Sequence, residues 1–280
     1  MKRPSYRRFA LFTTALTGVL VALGVYTAAT GSGLACSQQW PLCDGGVLPQ
    51  TIPSFIEWFH RLVAMITGFA IVGVVAAAWR GDQGRRTALY ATAALVLLPF
   101  QISVGAITVT LNGAIPWGYS VPTHAAHLLF ALLIFTALTL STITAYRGHY
   151  ERSLFDRSRL AVGAALLLIP ANFLVSRVSP VIDYGPFAQG AFALTALAAF
   201  AALVAAAVWL PETSLARYRP GVFVAGAAVF LVTLLGRDLV VYTDEARLVN
   251  GLLYLVAFAA VAVVAYAARG GSGEDRSIPA

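Results

Sequence analysis

Long apolar runs alternate along the chain with short segments that carry most of its charges. An α-helix needs about 20 apolar residues to cross a hydrocarbon core of roughly 30 Å. Eight runs meet that length to within a few residues, at approximately 9–29, 56–79, 87–111, 121–146, 159–176, 188–210, 221–242 and 248–268. The pattern predicts an all-α polytopic membrane protein with eight transmembrane helices.

Composition supports that class, since 59% of the residues are hydrophobic and only 11% are charged. Such a chain cannot cover itself with polar surface as a water-soluble globular domain does. The first apolar run follows Arg7 and Arg8, as the apolar region of a cleaved signal peptide follows basic residues. It continues for about 20 residues, whereas the apolar region of a signal peptide has about 7–15, and we expect a retained helix.

The basic residues predict the orientation in the membrane. If eight helices alternate, 15 of the 19 Lys and Arg residues share one side: four at the N-terminus, three near residue 80, four around residue 150, and Arg217, Arg219, Arg269 and Arg276. The positive-inside rule makes that side cytoplasmic, with both termini there, in the cell membrane. The net charge of +7 then reflects topology, and we predict no nucleic-acid partner.

The charged loop at 147–158 divides the eight helices into two sets of four, which predicts two pseudo-repeated four-helix bundles. The first domain would cover 1–150 and the second 151–280, ending in a disordered tail. A weak internal echo relates 126–130, at the start of the fourth helix, to 250–254, at the start of the eighth.

Three of the four histidines lie near the starts of predicted membrane helices: His60, His124 and His127. Ionisable side chains within a bilayer are costly and usually functional. His60 and His127 would lie at a similar depth, roughly 8–10 Å below the outer surface, on two helices of one bundle. Because two imidazoles can clamp one haem iron, this placement predicts a haem site.

Glu57, His60 and Arg61 share one face of the second helix at spacings of three and four residues. One interpretation is an interfacial cap in which Glu57 pairs with Arg61 and His60 extends to water. A di-iron carboxylate site would also use a Glu-x-x-His element. That site needs a second such element and two more glutamates on facing helices, and the other glutamates lie in loops or the tail.

The only cysteines, Cys36 and Cys43, lie in a loop predicted to face outside. On an oxidising face they could form a disulfide, with either a structural or a redox role. Gln101, Gly105 and Thr108 form a polar, small-residue stripe on the third helix. Such a stripe is typical of close helix packing, with contact to a bound macrocycle as the alternative.

These motifs resemble those of the haem A synthase family of eight-helix membrane proteins. The similarity covers residues 24–135, about two-fifths of the chain. It rests on five stretches in family order: Thr30–Cys36, Trp40–Cys43, Glu57-x-x-His60-Arg61, Gln101-x-x-x-Gly105 and the histidine that opens the fourth helix.

The resemblance implies oxidation of the C8 methyl of haem O to the formyl group of haem A, for terminal oxidases. It implies that His60 and His127 ligate the iron of the substrate haem and that Glu57 is required for turnover. It also implies that Cys36 and Cys43 can pair. His124 has no clear counterpart in the family and is an alternative iron ligand, while Arg61 and Gln101 are supporting residues.

The second half departs from the family pattern, in which two histidines usually bind a haem b. Residues 150–280 contain no histidine; Gly251 stands where the internal echo would place one ligand, and Gln189 lies near the start of the sixth helix. Neither can reproduce bis-imidazole ligation, so a second haem b is doubtful. We expect a degenerate site there.

Two rival functions remain open: a b-type haem-binding electron-transfer protein, which needs neither Glu57 nor the cysteine loop, and a transporter gated by Glu57 and Arg61. The expected partners are haem O, a haem O synthase, membrane lipid and an unidentified electron acceptor. The sequence leaves homo-oligomerisation open.

Overall fold

The computed structural model describes residues 5–36, 39, 42–81, 83–110, 121–147, 152–236 and 242–270. The described chain is helical, as the apolar runs predict. It contains eight α-helices: α1 Tyr6–Ala29, α2 Ile52–Arg80, α3 Arg85–Thr110, α4 Val121–Ala145, α5 Leu154–Leu174, α6 Pro186–Trp209, α7 Arg219–Leu235 and α8 Asp244–Ala267. The predicted disordered tail, Trp40 and Pro41 lie largely or wholly outside the described residues.

Seven helical segments within the described chain are long and apolar enough to cross a membrane. The eighth helix, α5, is not among them. Asp156, Arg157 and Arg159 occupy its first two turns and leave only residues 160–174 free of charged side chains. Fifteen residues of helix extend about 23 Å, which is short of a hydrocarbon core of roughly 30 Å.

The start of α2 and the end of α7 differ from the ranges expected from the sequence. Helix α2 begins at Ile52, four residues before the predicted start, because Thr51 caps it: the Ser54 backbone N–H donates to Thr51 Oγ1 at 3.2 Å. Helix α7 ends at Leu235 and not at 242. Gly236 follows the last helical residue, and a hydropathy pattern does not show a helix end at such a position.

The chain divides into two compact units, the first containing α1–α4 and the second containing α5, most of α6, α7 and α8. In the first unit, α1 packs against α2 and α4, and α3 packs against the same two helices. This order places α2 and α4 across a diagonal of the bundle. The domain roles assigned from sequence remain predictions.

Side chains that carry hydroxyl groups join α1 to α4 in a part of the first unit away from the histidines. Tyr6 Oη lies 2.7 Å from Ser141 Oγ, and Thr14 Oγ1 lies 2.8 Å from Thr142 Oγ1. Both contacts join α1 to α4. Hydroxyl pairs of this kind let membrane helices approach closely and satisfy polar groups that lipid cannot.

A different polar cluster lies in the second unit. The Asn172 side-chain amide on α5 donates to the backbone carbonyl of Phe192 at 2.7 Å and to Thr195 Oγ1 at 2.8 Å, both on α6. Its carbonyl oxygen accepts from Tyr254 Oη on α8 at 2.6 Å. Asn172 therefore ties three helices together in a buried, hydrogen-bonded core.

Candidate haem site

The loop between α1 and α2 is closed by a disulfide between Cys36 and Cys43, as the resemblance implies. Cys43 and Gly46 pair through backbone hydrogen bonds around a tight turn. The two central residues of that turn, Asp44 and Gly45, have φ values of 51° and 75°. This is the Asp-Gly chemistry of a type I′ turn, which requires positive φ at both positions.

Ser54, in the first turn of α2, fastens this loop to the helix. Its hydroxyl lies 3.2 Å from the carbonyl oxygen of Ala35 and 3.1 Å from Asp44 Oδ1. Asp44 also accepts from the Gln50 backbone N–H at 2.9 Å through its other oxygen. The disulfide loop is therefore bonded to α2 through side chains as well as through the chain itself.

Glu57 and Arg61 extend that attachment by one turn and two turns of helix. The buried Glu57 carboxylate, 3% exposed, accepts the Cys36 backbone N–H at 2.8 Å and the Arg61 guanidinium on its other oxygen. Arg61 in turn donates to the carbonyl oxygens of Gln39 and Leu42, both at 2.9 Å. The predicted Glu57–Arg61 pair is present, and it is joined to the loop.

His60 lies one turn from Glu57 on α2, and its half-buried imidazole faces α1 at Gly24. A Cβ atom at Gly24 would lie 2.9 Å from His60 Cε1. The ring therefore occupies space that only a glycine leaves open. Sequence reasoning did not identify Gly24, because the contact depends on how α1 and α2 are aligned and not on spacing within one helix.

His127 on α4 is half-buried and has two close neighbours on α3. The Gln101 amide nitrogen lies 3.1 Å from His127 Nε2, and a Cβ atom at Gly105 would lie 2.9 Å from His127 Cε1. The Gln101 Oε1 atom is buried, and within the described chain it has no hydrogen-bond partner. The stripe noted on α3 therefore contacts a candidate ligand directly.

His60 and His127 thus belong to helices on one diagonal of the bundle, and the glycines that accommodate them belong to the other two helices. From the observed helix starts, His60 lies about 12 Å and His127 about 9 Å along its own helix axis, and their similar depth in the membrane stays a prediction. His124 is half-buried one turn before His127 and remains an alternative ligand.

The residues fit a bis-histidine haem site on two observations. Each imidazole has room because the facing residue is a glycine, and a buried amide oxygen beside His127 lacks a partner among the described residues. A haem needs only two axial nitrogens from the protein, one from each side of the iron. The site would bring together His60, His127 and, one turn from His60, the carboxylate of Glu57.

The corresponding positions of the second half have other contacts. The Gln189 amide donates to the Tyr184 backbone carbonyl at 3.2 Å. Gly251 leaves a Cβ position 3.8 Å from a Val178 methyl, an ordinary van der Waals separation. Asn172 and Tyr254 supply the polar contacts between helices in the second unit, which is consistent with a packing role.

Comparison with known proteins gives a family match over residues 7–176, to the model described as "COX15-CtaA: Cytochrome oxidase assembly protein". A protein of Bacillus licheniformis named "Heme A synthase" is 34% identical over 132 residues, which are 45% of this chain and 43% of the relative. Its counterpart in Alkalihalophilus pseudofirmus is 34% identical over 142 residues, 49% of this chain and 46% of the relative.

A longer relative has a different name. A protein of Halobacterium salinarum named "Protoheme IX farnesyltransferase" is 36% identical over 145 residues, which are 50% of this chain but only 30% of the relative. The chain therefore spans less than half the length of each of these three relatives.

Proposed function

The chain belongs to the COX15-CtaA family of cytochrome oxidase assembly proteins, and on that premise we propose that it oxidises the C8 methyl of haem O to the formyl group of haem A. The observation that carries the proposal is the pair of imidazoles, His60 and His127, on diagonal helices with a fixed carboxylate one turn from His60. The similarity to proteins named for haem A synthesis supports the same substrate.

His60 and His127 bind and orient the substrate in this proposal. Haem iron supplies the redox chemistry, and the protein supplies position and electrostatics. Imidazoles on two separate helices would hold the haem from both sides, and the rest of the bundle would position the edge that carries the methyl group. Conversion of the methyl group to a formyl group takes its oxygen atom from water and releases four electrons and four protons; the electrons pass to an acceptor outside the chain.

Glu57 provides a negative charge at a fixed position beside the substrate. The Cys36 backbone N–H and the Arg61 guanidinium donate to its two oxygens and restrain the carboxylate from rotating during the reaction. A charge preorganised in a water-poor site stabilises an opposite charge that develops at a reacting carbon. Arg61 and the disulfide loop serve as the support that holds this carboxylate in place.

Gln101 has a distinct role at His127. An amide nitrogen is a hydrogen-bond donor, so the contact requires an acceptor at His127 Nε2 and places the proton on Nδ1. The acceptor lone pair is also the one that binds a metal. Gln101 therefore fixes which nitrogen of His127 carries the proton, and iron binding at Nε2 would have to displace this hydrogen bond.

A farnesyltransferase that makes haem O is the partner we propose for substrate supply. In Halobacterium salinarum, a stretch similar to this chain lies within a longer protein named for farnesyl transfer to protohaem IX. Placing two such activities in one polypeptide would pass a poorly soluble product directly to the next enzyme.

Co-expression with a haem O synthase tests the proposed reaction. Haems are extracted from membranes, separated, and identified by their pyridine haemochrome spectra. We expect haem A or a hydroxylated intermediate with this chain and only haem O with the vector alone. If the chain binds haem but accumulates neither oxidised product, it is a haem-binding electron-transfer protein. A colourless preparation would contradict both functions and favour the transporter hypothesis.

A further inference from the structure

Gly24 and Gly105 occupy equivalent positions relative to the two candidate ligands. Each lies on a helix adjacent to the one that carries the histidine, and at each a Cβ atom would lie 2.9 Å from the Cε1 atom of an imidazole. Carbon atoms in good van der Waals contact are about 3.5–4.0 Å apart. Neither ring can keep its position if the glycine gains a side chain.

The obstruction at both positions involves the coordinating ring itself. The added Cβ would also lie 3.5 Å from His60 Nε2 at Gly24 and 3.4 Å from His127 Nδ1 at Gly105. An ordinary glycine of the same bundle differs: at Gly68 the nearest atom is a Leu98 methyl, 3.7 Å away. Glycines of this bundle also accommodate phenylalanine rings, 3.1 Å from Phe9 at Gly73 and 3.3 Å from Phe135 at Gly18. Gly24 and Gly105 differ from them in the shorter distance of 2.9 Å and in facing the two candidate ligands.

We propose that Gly24 and Gly105 are positioning residues of the haem site, which let the His60 and His127 rings lie against neighbouring helices and so set where their nitrogens meet the iron. The proposal rests on the proposed function, because it assumes that both rings are ligands. Metal–ligand distances tolerate errors of only about 0.2 Å, so a ring displaced by several tenths of an ångström cannot complete the same two-sided clamp.

At Gly105 the effect extends to Gln101, which lies one turn away on the same helix. A ring pushed away from α3 would also lose its 3.1 Å contact with the Gln101 amide. Gly105 thus also determines whether the His127 ring lies within hydrogen-bond distance of the Gln101 amide. Both α3 residues contact the His127 ring: Gly105 leaves room for it, and Gln101 forms a hydrogen bond to it.

The test is a haem titration of the full chain, purified without haem in detergent, with ferric protohaem as the probe. Absorbance gives the affinity, and electron paramagnetic resonance gives the spin state, which is low-spin when two imidazoles bind. We expect Gly24→Ala and Gly105→Ala each to weaken binding by about 10- to 100-fold, as displacement of a supporting group does at metal sites. Both should convert low-spin haem to high-spin.

Gly68→Ala is the matched control, and it should bind haem with the affinity and spin state of the parent chain. Alanine has a higher helix propensity than glycine by about 1 kcal/mol, so none of the three substitutions weakens its own helix. The thermal unfolding of the haem-free variants measures whether each folds as the parent does.

A double-mutant cycle separates ring displacement from a general packing defect. In a His60→Ala background the ring is gone, and Gly24→Ala should cause no further loss of haem affinity. An equal loss in both backgrounds would overturn the proposal, as would parent-like binding and spin state in Gly24→Ala and Gly105→Ala. If His60→Ala and His127→Ala themselves bind like the parent, the proposed function fails first, and the glycines lose their assigned role with it.

Discussion

At the residue scale, the Gln101 amide and the haem iron would compete for the same atom, His127 Nε2. Replacing Gln101 with leucine removes the amide that occupies Nε2, so the iron no longer displaces a hydrogen bond. A net hydrogen bond contributes about 0.5–1.5 kcal/mol, which corresponds to an affinity increase of roughly 2- to 12-fold. A protohaem titration of Gln101→Leu measures this, with Gln189→Leu as the control in α6. Weaker binding would instead mean that Nδ1 is the ligand atom.

Glu57 is the residue whose role the contacts constrain most closely. The Cys36 backbone N–H and the Arg61 guanidinium each donate to one of its oxygens, and neither is a candidate iron ligand. We therefore expect Glu57→Ala to retain haem and lose oxidation, measured as haem A formed per bound haem in co-expressing cells. The matched control is Glu212→Ala, whose glutamate pairs with Arg147 in the second unit and should leave oxidation unchanged. Loss of haem itself from Glu57→Ala would make this glutamate a structural residue.

At the element scale, the loop closed by the Cys36–Cys43 disulfide is attached to α2 by side-chain hydrogen bonds as well as by the polypeptide chain. A cross-link that closes a loop of this length contributes about 2.5 kcal/mol by the chain-entropy relation. We expect the Cys36→Ala/Cys43→Ala double variant to unfold at a lower temperature in detergent while still binding haem, because Ser54 and Arg61 continue to hold the loop. An unchanged unfolding temperature would show that the hydrogen bonds alone determine loop stability.

The sequence predicted the elements well where the signal is local. Apolar run length located all eight helices, and spacings of three and four residues placed Glu57, His60 and Arg61 on one face. The end of α7 was missed because Gly236 interrupts a helix without interrupting hydropathy. The attachment of Glu57 to the Cys36 amide and of His60 to Gly24 could not be predicted, since both depend on how separate segments meet in three dimensions.

At the scale of the whole molecule, helix α5 decides the topology. Eight crossings place both termini on one side of the membrane, whereas seven place them on opposite sides. We expect α5 to cross despite its short apolar length, with Arg157 and Arg159 at the cytoplasmic end. A green fluorescent protein fused to the C-terminus should therefore fluoresce, and alkaline phosphatase fused there should be inactive. The reverse pattern would mean that α5 does not span the membrane.

The central claim is that one haem site remains, in the unit formed by α1–α4. The second half has no histidine, and Asn172 and Tyr254 link its helices α5, α6 and α8 by hydrogen bonds. The most direct measurement is the number of haems per chain in the purified protein, from pyridine haemochrome absorbance and quantitative amino-acid analysis. We predict one low-spin haem per chain, which is lost when His60 and His127 are both replaced by alanine. Two haems per chain, or one that survives the double replacement, would contradict it.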